Sequence, residues 1–111
     1  MEFKMHLKER PFFMIKSGQK DIEMRLLDEK RQKIQVGDTI EFSNVETGQI
    51  VNTEVVKIYK YKNFDELYSN FEKTRLGYHE DEEANPKDMA QYYSAEEIEK
   101  YGVVGIEVKK V

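Results

Sequence analysis

The stretch Gly18-Gln19-Lys20-Asp21-Ile22-Glu23-Met24-Arg25-Leu26 joins a short predicted helix to a strand and decides the fold. Glycine commonly ends a helix because it enters the left-handed conformation without steric cost, and Gly18 is placed to do so. After Gly18 the spacing of apolar residues changes from helical to alternating. This period of two predicts a β-strand with Ile22, Met24 and Leu26 on one face.

The charged residues of the same stretch fall on the other face of this strand. Glu23 and Arg25 are two residues apart, about 6.6 Å along a strand, and we expect them to point away from the apolar core face. Lys20 has the wrong parity to join them unless the turn after Gly18 redirects its side chain. Two interpretations follow. One is a solvated ion pair on a half-buried strand, which is commonplace, and the other is a ligand-binding site made of Lys20, Glu23 and Arg25.

A spacing pattern in this stretch favours the second interpretation. The pattern G-x-K-x-x-E-x-R is formed by Gly18, Lys20, Glu23 and Arg25. It resembles the signature of the ASCH domain (activating signal cointegrator homology), a family of PUA-like β-barrels. The apolar helix before the motif, the step at 36–40 and the closing strand at 101–108 are also similar to the small ASCH proteins. The resemblance covers nearly the whole chain and implies a PUA-like barrel.

The rest of the chain is predicted as strand, helix, strand, strand, long strand, two or three helices, strand. In the long strand, about 50–62, the apolar positions change parity near Val55 and Val56, which indicates a β-bulge or a strand shared between two sides of a barrel. Helix-capping patterns begin at Asn63, Asn85 and Ser94. Strands with segregated helices are typical of α+β folds. With the resemblance, the prediction is a small PUA-like mixed β-barrel of about five strands with flanking helices.

Composition limits the class of protein. The chain has 111 residues, of which 36% are charged and 39% hydrophobic, so residues 1–111 are expected to form a single domain. There is no cysteine, which excludes thiolate metal sites and disulfides, and His79 beside flexible carboxylates makes a poor metal site. We expect no metal and no cofactor. No apolar run approaches the roughly 18 residues of a membrane span, and the first residues lack the apolar core of a signal peptide. A cytoplasmic protein without a membrane partner is expected, of unspecified oligomeric state.

The charge is unevenly distributed along the chain. Residues 1–62 carry 12 Lys plus Arg and 10 Asp plus Glu, a net of +2, whereas residues 63–111 carry 6 and 12, a net of −6. An acidic chain of this size is a poor binder of long nucleic acid through electrostatics alone. A short single-stranded RNA, a nucleotide or a nucleoside in a locally basic cleft remains compatible with it. The first half is expected to line such a cleft.

The ASCH resemblance implies two classes of function. The first is RNA or nucleotide binding in a cleft beside the barrel, where Lys20 and Arg25 donate to phosphate or carbonyl oxygens and Glu23 orients Arg25 or accepts from a base amino group. The second is an enzyme, either a ribonuclease or an amidohydrolase acting on N4-acetylcytidine or a related modified nucleoside.

The amidohydrolase alternative depends on a hydroxyl nucleophile. In that branch of the family a Lys-Thr-Glu constellation places the Thr three residues after the Lys. Here Lys20 matches the lysine, but the third residue after it is Glu23. Lys20 and Glu23 are the catalytic candidates in this reading, but Glu23 would hold Lys20 protonated and so oppose a base role. Thr53, Tyr78 and Tyr92 are candidates for a replacement hydroxyl, but nothing in the sequence places them near Lys20. Binding is therefore the favoured hypothesis.

Overall fold

The computed structural model describes all residues, 1–111, which form one five-stranded sheet with three α-helices. The strands are β1 (Glu2–Leu7), β2 (Ile22–Leu26), β3 (Thr39–Asn44), β4 (Ile50–Tyr61) and β5 (Val103–Lys110), and the helices are α1 (Glu9–Ser17), α2 (Phe64–Ser69) and α3 (Ala95–Tyr101). Short 3₁₀ helices span Arg31–Lys33, Lys73–Leu76 and Pro86–Gln91.

The sheet is mixed, with strand order β1-β3-β4-β5-β2. β1 pairs in parallel with β3, and the other neighbours are antiparallel. The sheet curls into a half-barrel with the helices around it, so the predicted α+β architecture of five strands with flanking helices is confirmed. None of the helices has the length and apolar character needed to cross a bilayer.

Two hydrophobic clusters lie on opposite faces of the sheet. The inner cluster, on the concave face, consists of Phe3, Met5, Leu7, Phe12, Ile15, Ile34, Ile40, Phe42, Val51, Val55, Val104, Ile106 and Val108. The outer cluster consists of Ile22, Met24, Phe64, Leu67, Leu76, Met89 and Val103. Helix α1 covers the inner cluster, whereas α2 and the 3₁₀ helices of residues 73–91 cover the outer one. β2 and β5 therefore have both faces covered.

The predicted bulge in β4 allows one strand to serve both clusters. The register of β4 against β5 shifts between Val55 and Lys57. Before the shift, Val51 and Val55 belong to the inner cluster, whereas after it Ile58 packs there and Tyr59 turns to the outer cluster. One extra residue reverses which side chains face the core. The bulge that the change in apolar parity predicted near Val55 is therefore present.

Helix α1 connects the two edge strands, β1 and β2. It ends at Gly18, whose φ of 89° is left-handed and whose N–H donates to the Ile15 carbonyl over 3.1 Å. Phe12 and Ile15 are buried, whereas Phe13 is 40% exposed. β1 and β2 do not pair with each other, so the half-barrel has a seam between them.

Candidate functional site

β2 presents its apolar and charged residues to opposite faces, as predicted, but the faces are not those expected. Ile22 and Met24 are buried in the outer cluster. Glu23 lies opposite Ile106 and Arg25 opposite Val104 in the register with β5. Directly opposed residues share a face, so both charged side chains lie on the concave face with the inner cluster. The expectation that they point away from the main core is wrong.

The alternative of a solvated ion pair is also wrong. Glu23 is only 3% exposed, and Arg25 is mostly buried. The strand is covered on both faces, so alternation in the sequence identified two faces without showing which one meets the larger core. Burying a charge without partners costs several kcal/mol, so these side chains require compensation within the fold.

The turn after α1 redirects Lys20 toward this charged face. The Lys20 N–H donates to the Met14 carbonyl over 3.0 Å, which folds the chain back over the last turn of α1. The next residue, Asp21, is held in place because its carboxylate accepts two hydrogen bonds from Arg75, at 2.9 and 3.1 Å. The condition set by the sequence for Lys20 to join Glu23 is therefore met. Gly77, at a φ of +104°, packs against Lys20, and a Cβ there would lie 3.1 Å from the Lys20 Cδ.

The three predicted residues form one triad around the Glu23 carboxylate. Lys20 Nζ lies 3.1 Å from Glu23 Oε1, and Arg25 Nε donates to Glu23 Oε2 over 2.7 Å. Arg25 also donates from a terminal nitrogen to the His6 carbonyl over 3.1 Å. That contact joins β2 to β1 across the seam. With two cations and one anion, the triad has a net charge of +1.

The pKa shifts of Glu23 and Arg25 show that the triad stabilises the charged forms of both side chains. Burial alone would raise the pKa of Glu23, but Lys20 and Arg25 more than offset it and hold the pKa below its usual value. Burial alone would lower the pKa of Arg25, yet the Glu23 carboxylate, aided by the Tyr93 phenol, raises it. Glu23 is therefore a carboxylate at neutral pH and Arg25 a permanent cation.

The triad lines the floor of a cleft of about 520 Å³ at the seam between β1 and β2. The volume is within the range of small-molecule sites. Half of the lining comes from the first 45 residues: His6, Leu7, Lys8, Arg10, Pro11, Lys20, Glu23, Met24, Arg25 and Val45. The other half comes from the acidic part of the chain: Tyr68, Leu76, Gly77, Tyr78, Glu82, Asp88, Met89, Gln91, Tyr92 and Tyr93. The expectation that the first half alone lines the cleft is wrong, although it supplies every lysine and arginine there.

Helix α2 and the segment between α2 and α3 form the far wall of the cleft. Two tyrosines of this wall are linked through their hydroxyl groups: the hydroxyl oxygens of Tyr68, on α2, and Tyr78 are 2.9 Å apart, and Tyr78 donates to Asp88 Oδ2 over 2.7 Å. Burial, with a contribution from Tyr78, raises the pKa of Tyr68 far above its usual value. Arg10 of α1 ties the segment down by pairing with Glu82.

Four of the seven tyrosines in the chain line this cleft, and few features of the sequence indicate this. Tyr68 has the helical spacing of a core residue. Tyr92 and Tyr93 precede a helix cap in a polar stretch, and that adjacent aromatic pair was the one usable signal. Of the proposed replacement hydroxyls, Tyr78 and Tyr92 reach the cleft, whereas Thr53 is fully buried and donates to the Ile40 carbonyl.

The sequence matches the model of the ASCH domain family over residues 5–111. Two solved structures are 33% identical to the chain and match its whole length. They are the crystal structure of a hypothetical protein, PH0355, with a TM-score of 0.84 over 100% of that chain, and the solution structure of protein PF0455 from Pyrococcus furiosus, with a TM-score of 0.78 over 98% of it.

A more distant structure shares the fold alone. The ASCH domain from Lactobacillus crispatus is 16% identical, with a TM-score of 0.68 over 98% of this chain and 79% of that one. No functionally curated protein matches the sequence significantly.

Proposed function

Since the chain belongs to the ASCH domain family, we propose that its cleft binds a nucleotide within a short single-stranded RNA segment. The observation that carries this proposal is the triad: a buried, net positive group at the floor of an aromatic-lined cleft. A buried positive charge favours a ligand with phosphate or carbonyl oxygens. Tyrosine rings favour a ligand with a flat π-face, and nucleotides combine both features.

Within the triad, the donors have capacity left for a ligand. Both Glu23 oxygens face cations, so Glu23 acts by holding Lys20 and Arg25 in place, and a role as direct acceptor from a base is disfavoured. Lys20 donates to Glu23 and retains two N–H groups. Arg25 uses Nε and one terminal nitrogen within the chain, so its other terminal nitrogen is available for an oxygen of the ligand.

The far wall supplies the complementary acceptor. Asp88 receives a hydrogen bond from Tyr78 through Oδ2, which leaves Oδ1 to accept from an exocyclic amino group of a base. The cleft thus offers donors on one wall and an acceptor with aromatic rings on the other. We propose that the phosphate or carbonyl edge of the nucleotide lies against β2 and that its base lies against Tyr68, Tyr78 and Tyr93.

Nothing in the geometry favours the amidohydrolase or ribonuclease alternatives. A lysine acting as a base must contact the hydroxyl that it activates, and Lys20 Nζ instead pairs with the Glu23 carboxylate at 3.1 Å and makes no hydrogen bond to a hydroxyl group. The partly buried hydroxyl of Tyr68 is held protonated, which makes it a weak nucleophile. Binding accounts for the triad without requiring either group to change its protonation state.

Fluorescence anisotropy of a labelled single-stranded RNA, titrated with protein at low and high salt, tests the proposal. We expect affinity to fall with salt, with a slope of about −0.7 in log K per log salt for each phosphate contacted. Arg25→Ala should weaken binding by about ten- to a hundredfold, from the loss of roughly 1.5–3 kcal/mol. Arg31→Ala is the matched control, because Arg31 is a mostly buried arginine paired with Asp28 outside the cleft. Equal effects of both variants, or binding that ignores salt, would contradict the proposal.

A further inference from the structure

An exposed aromatic residue lies within the cleft lining. Tyr92 lines the cleft yet is 48% exposed, the largest exposure among the aromatic side chains of the molecule. Its hydroxyl makes no hydrogen bond within the chain. Tyr68, Tyr78 and Tyr93, by contrast, are partly buried and belong to the wall. Tyr92 therefore marks the mouth of the cleft.

Tyr92 is connected to the triad by a continuous row of side chains. The rings of Tyr92 and Tyr93 are 6.4 Å apart and tilted by 54°. Tyr93 in turn stacks on the buried Phe64 at 6.1 Å, with planes 15° apart, which fixes its orientation. The Tyr93 phenol is also close enough to Arg25 to raise the pKa of that guanidinium. The aromatic surface thus runs from the triad at the floor to Tyr92 at the mouth.

Lys8 places a separate positive charge at this mouth. Its Nζ lies 5.3 Å from the centre of the Tyr92 ring, and it makes no ion pair within the chain. Arg10, the other cation near the opening, is already paired with Glu82. A cation–π contact at an exposed site is weak, so the Lys8 ammonium can transfer to a phosphate at little cost. The mouth therefore has an aromatic ring, that of Tyr92, and a cation, that of Lys8, which do not belong to the triad.

We propose that the mouth of the cleft is a second nucleotide subsite, in which Tyr92 stacks with a base and Lys8 contacts the phosphate that joins it to the nucleotide on the floor. This inference rests on the proposed function and names its substrate class more narrowly. The ligand is a strand of at least two nucleotides, and an isolated nucleoside fills only the inner half of the site. Stacking on an aromatic residue tolerates any base, so the second subsite adds affinity without strong sequence preference.

Calorimetric titration of the full chain with two sets of probes tests this. The probes are the four ribonucleoside 5′-monophosphates and the 5′-phosphorylated homodinucleotides of the same bases. We expect a dinucleotide to bind roughly 5- to 100-fold more tightly than its mononucleotide, the gain of one stacked base. Tyr92→Ala should bring this ratio close to one, and Tyr92→Phe should preserve it because the ring is kept. Lys8→Gln should reduce the slope of log K against log salt for dinucleotide binding by about the contribution of one phosphate contact.

The matched control is Tyr101→Ala. Tyr101 also lies under a lysine, with Lys100 Nζ 5.0 Å from its ring centre, but outside the cleft, so its removal should leave the ratio unchanged. If mononucleotides and dinucleotides bind wild-type protein equally, or if Tyr92→Ala leaves the ratio intact, the second subsite is refuted while the proposed function stands. If neither set of probes binds, the proposed function fails and the inference fails with it.

Discussion

The substitution Glu23→Gln tests whether the triad is held together by its central carboxylate. The amide keeps the shape of the side chain but removes the charge that compensates Lys20 and Arg25, both of which are largely buried. Removing one partner of a buried ion pair typically costs about 3–5 kcal/mol. Because both cations line an open cleft that water enters, we expect about 3 kcal/mol, the lower end of that range.

This loss of stability translates into a large change in melting temperature. The entropy of unfolding is about 2.1 cal/mol/K per residue, so for 111 residues it is about 0.23 kcal/mol/K, and a loss of about 3 kcal/mol lowers Tm by about 13 °C. Differential scanning calorimetry or thermal circular dichroism measures it directly. Glu54→Gln is the control, since Glu54 forms an exposed pair with Lys109 at 3.8 Å and should change stability by less than about 1 kcal/mol.

The pH dependence gives an independent check on the same residue. The pKa of Glu23 is lower in the folded protein than its ordinary value of 4.5, so its stabilising effect is complete above that pH and is lost as pH falls through the folded-state pKa. The difference in stability between wild type and Glu23→Gln should therefore be constant near neutrality and narrow in acid below pH 4.5. A variant as stable as wild type at pH 7, or a difference independent of pH, would refute the compensating role of Glu23.

Three further predictions concern chemistry, the cleft wall and a helix cap. Wild-type protein incubated with N4-acetylcytidine should release no cytidine by chromatography, and neither should Glu23→Thr; turnover that Lys20→Ala abolishes would instead promote the hydrolase. Gly77→Ala should lower both Tm and RNA affinity, because a side chain at its positive φ is strained and presses on the Lys20 side chain; unchanged affinity would separate Gly77 from the site. Ser94→Ala should cost about 1 kcal/mol by calorimetry and leave RNA affinity intact, since Ser94 forms a capping box with Glu97 and does not line the cleft; a loss of affinity would contradict that expectation.

Local signals in the sequence located many of the elements well. The end of α1 at Gly18, the bulge after Val55 and the capping box at Ser94 all lie where the sequence places them. Each depends on a few neighbouring residues: a left-handed φ, a change of apolar parity, a hydroxyl three residues before a glutamate.

The sequence by itself determined that Lys20, Glu23 and Arg25 belong to one motif, because their spacing is a local property. Only the tertiary structure decided that Glu23 and Arg25 lie on the concave face. β2 is covered on both sides, and the alternation of apolar and charged residues does not show which face meets the larger core. The tertiary structure alone also decided which tyrosines meet them. Tyr68, Tyr78 and Tyr93 lie more than 40 residues from the motif and reach it because α2 and the 70–93 segment line the same cleft as β1 and β2. Packing between segments distant in sequence sets such contacts, and no short pattern encodes them.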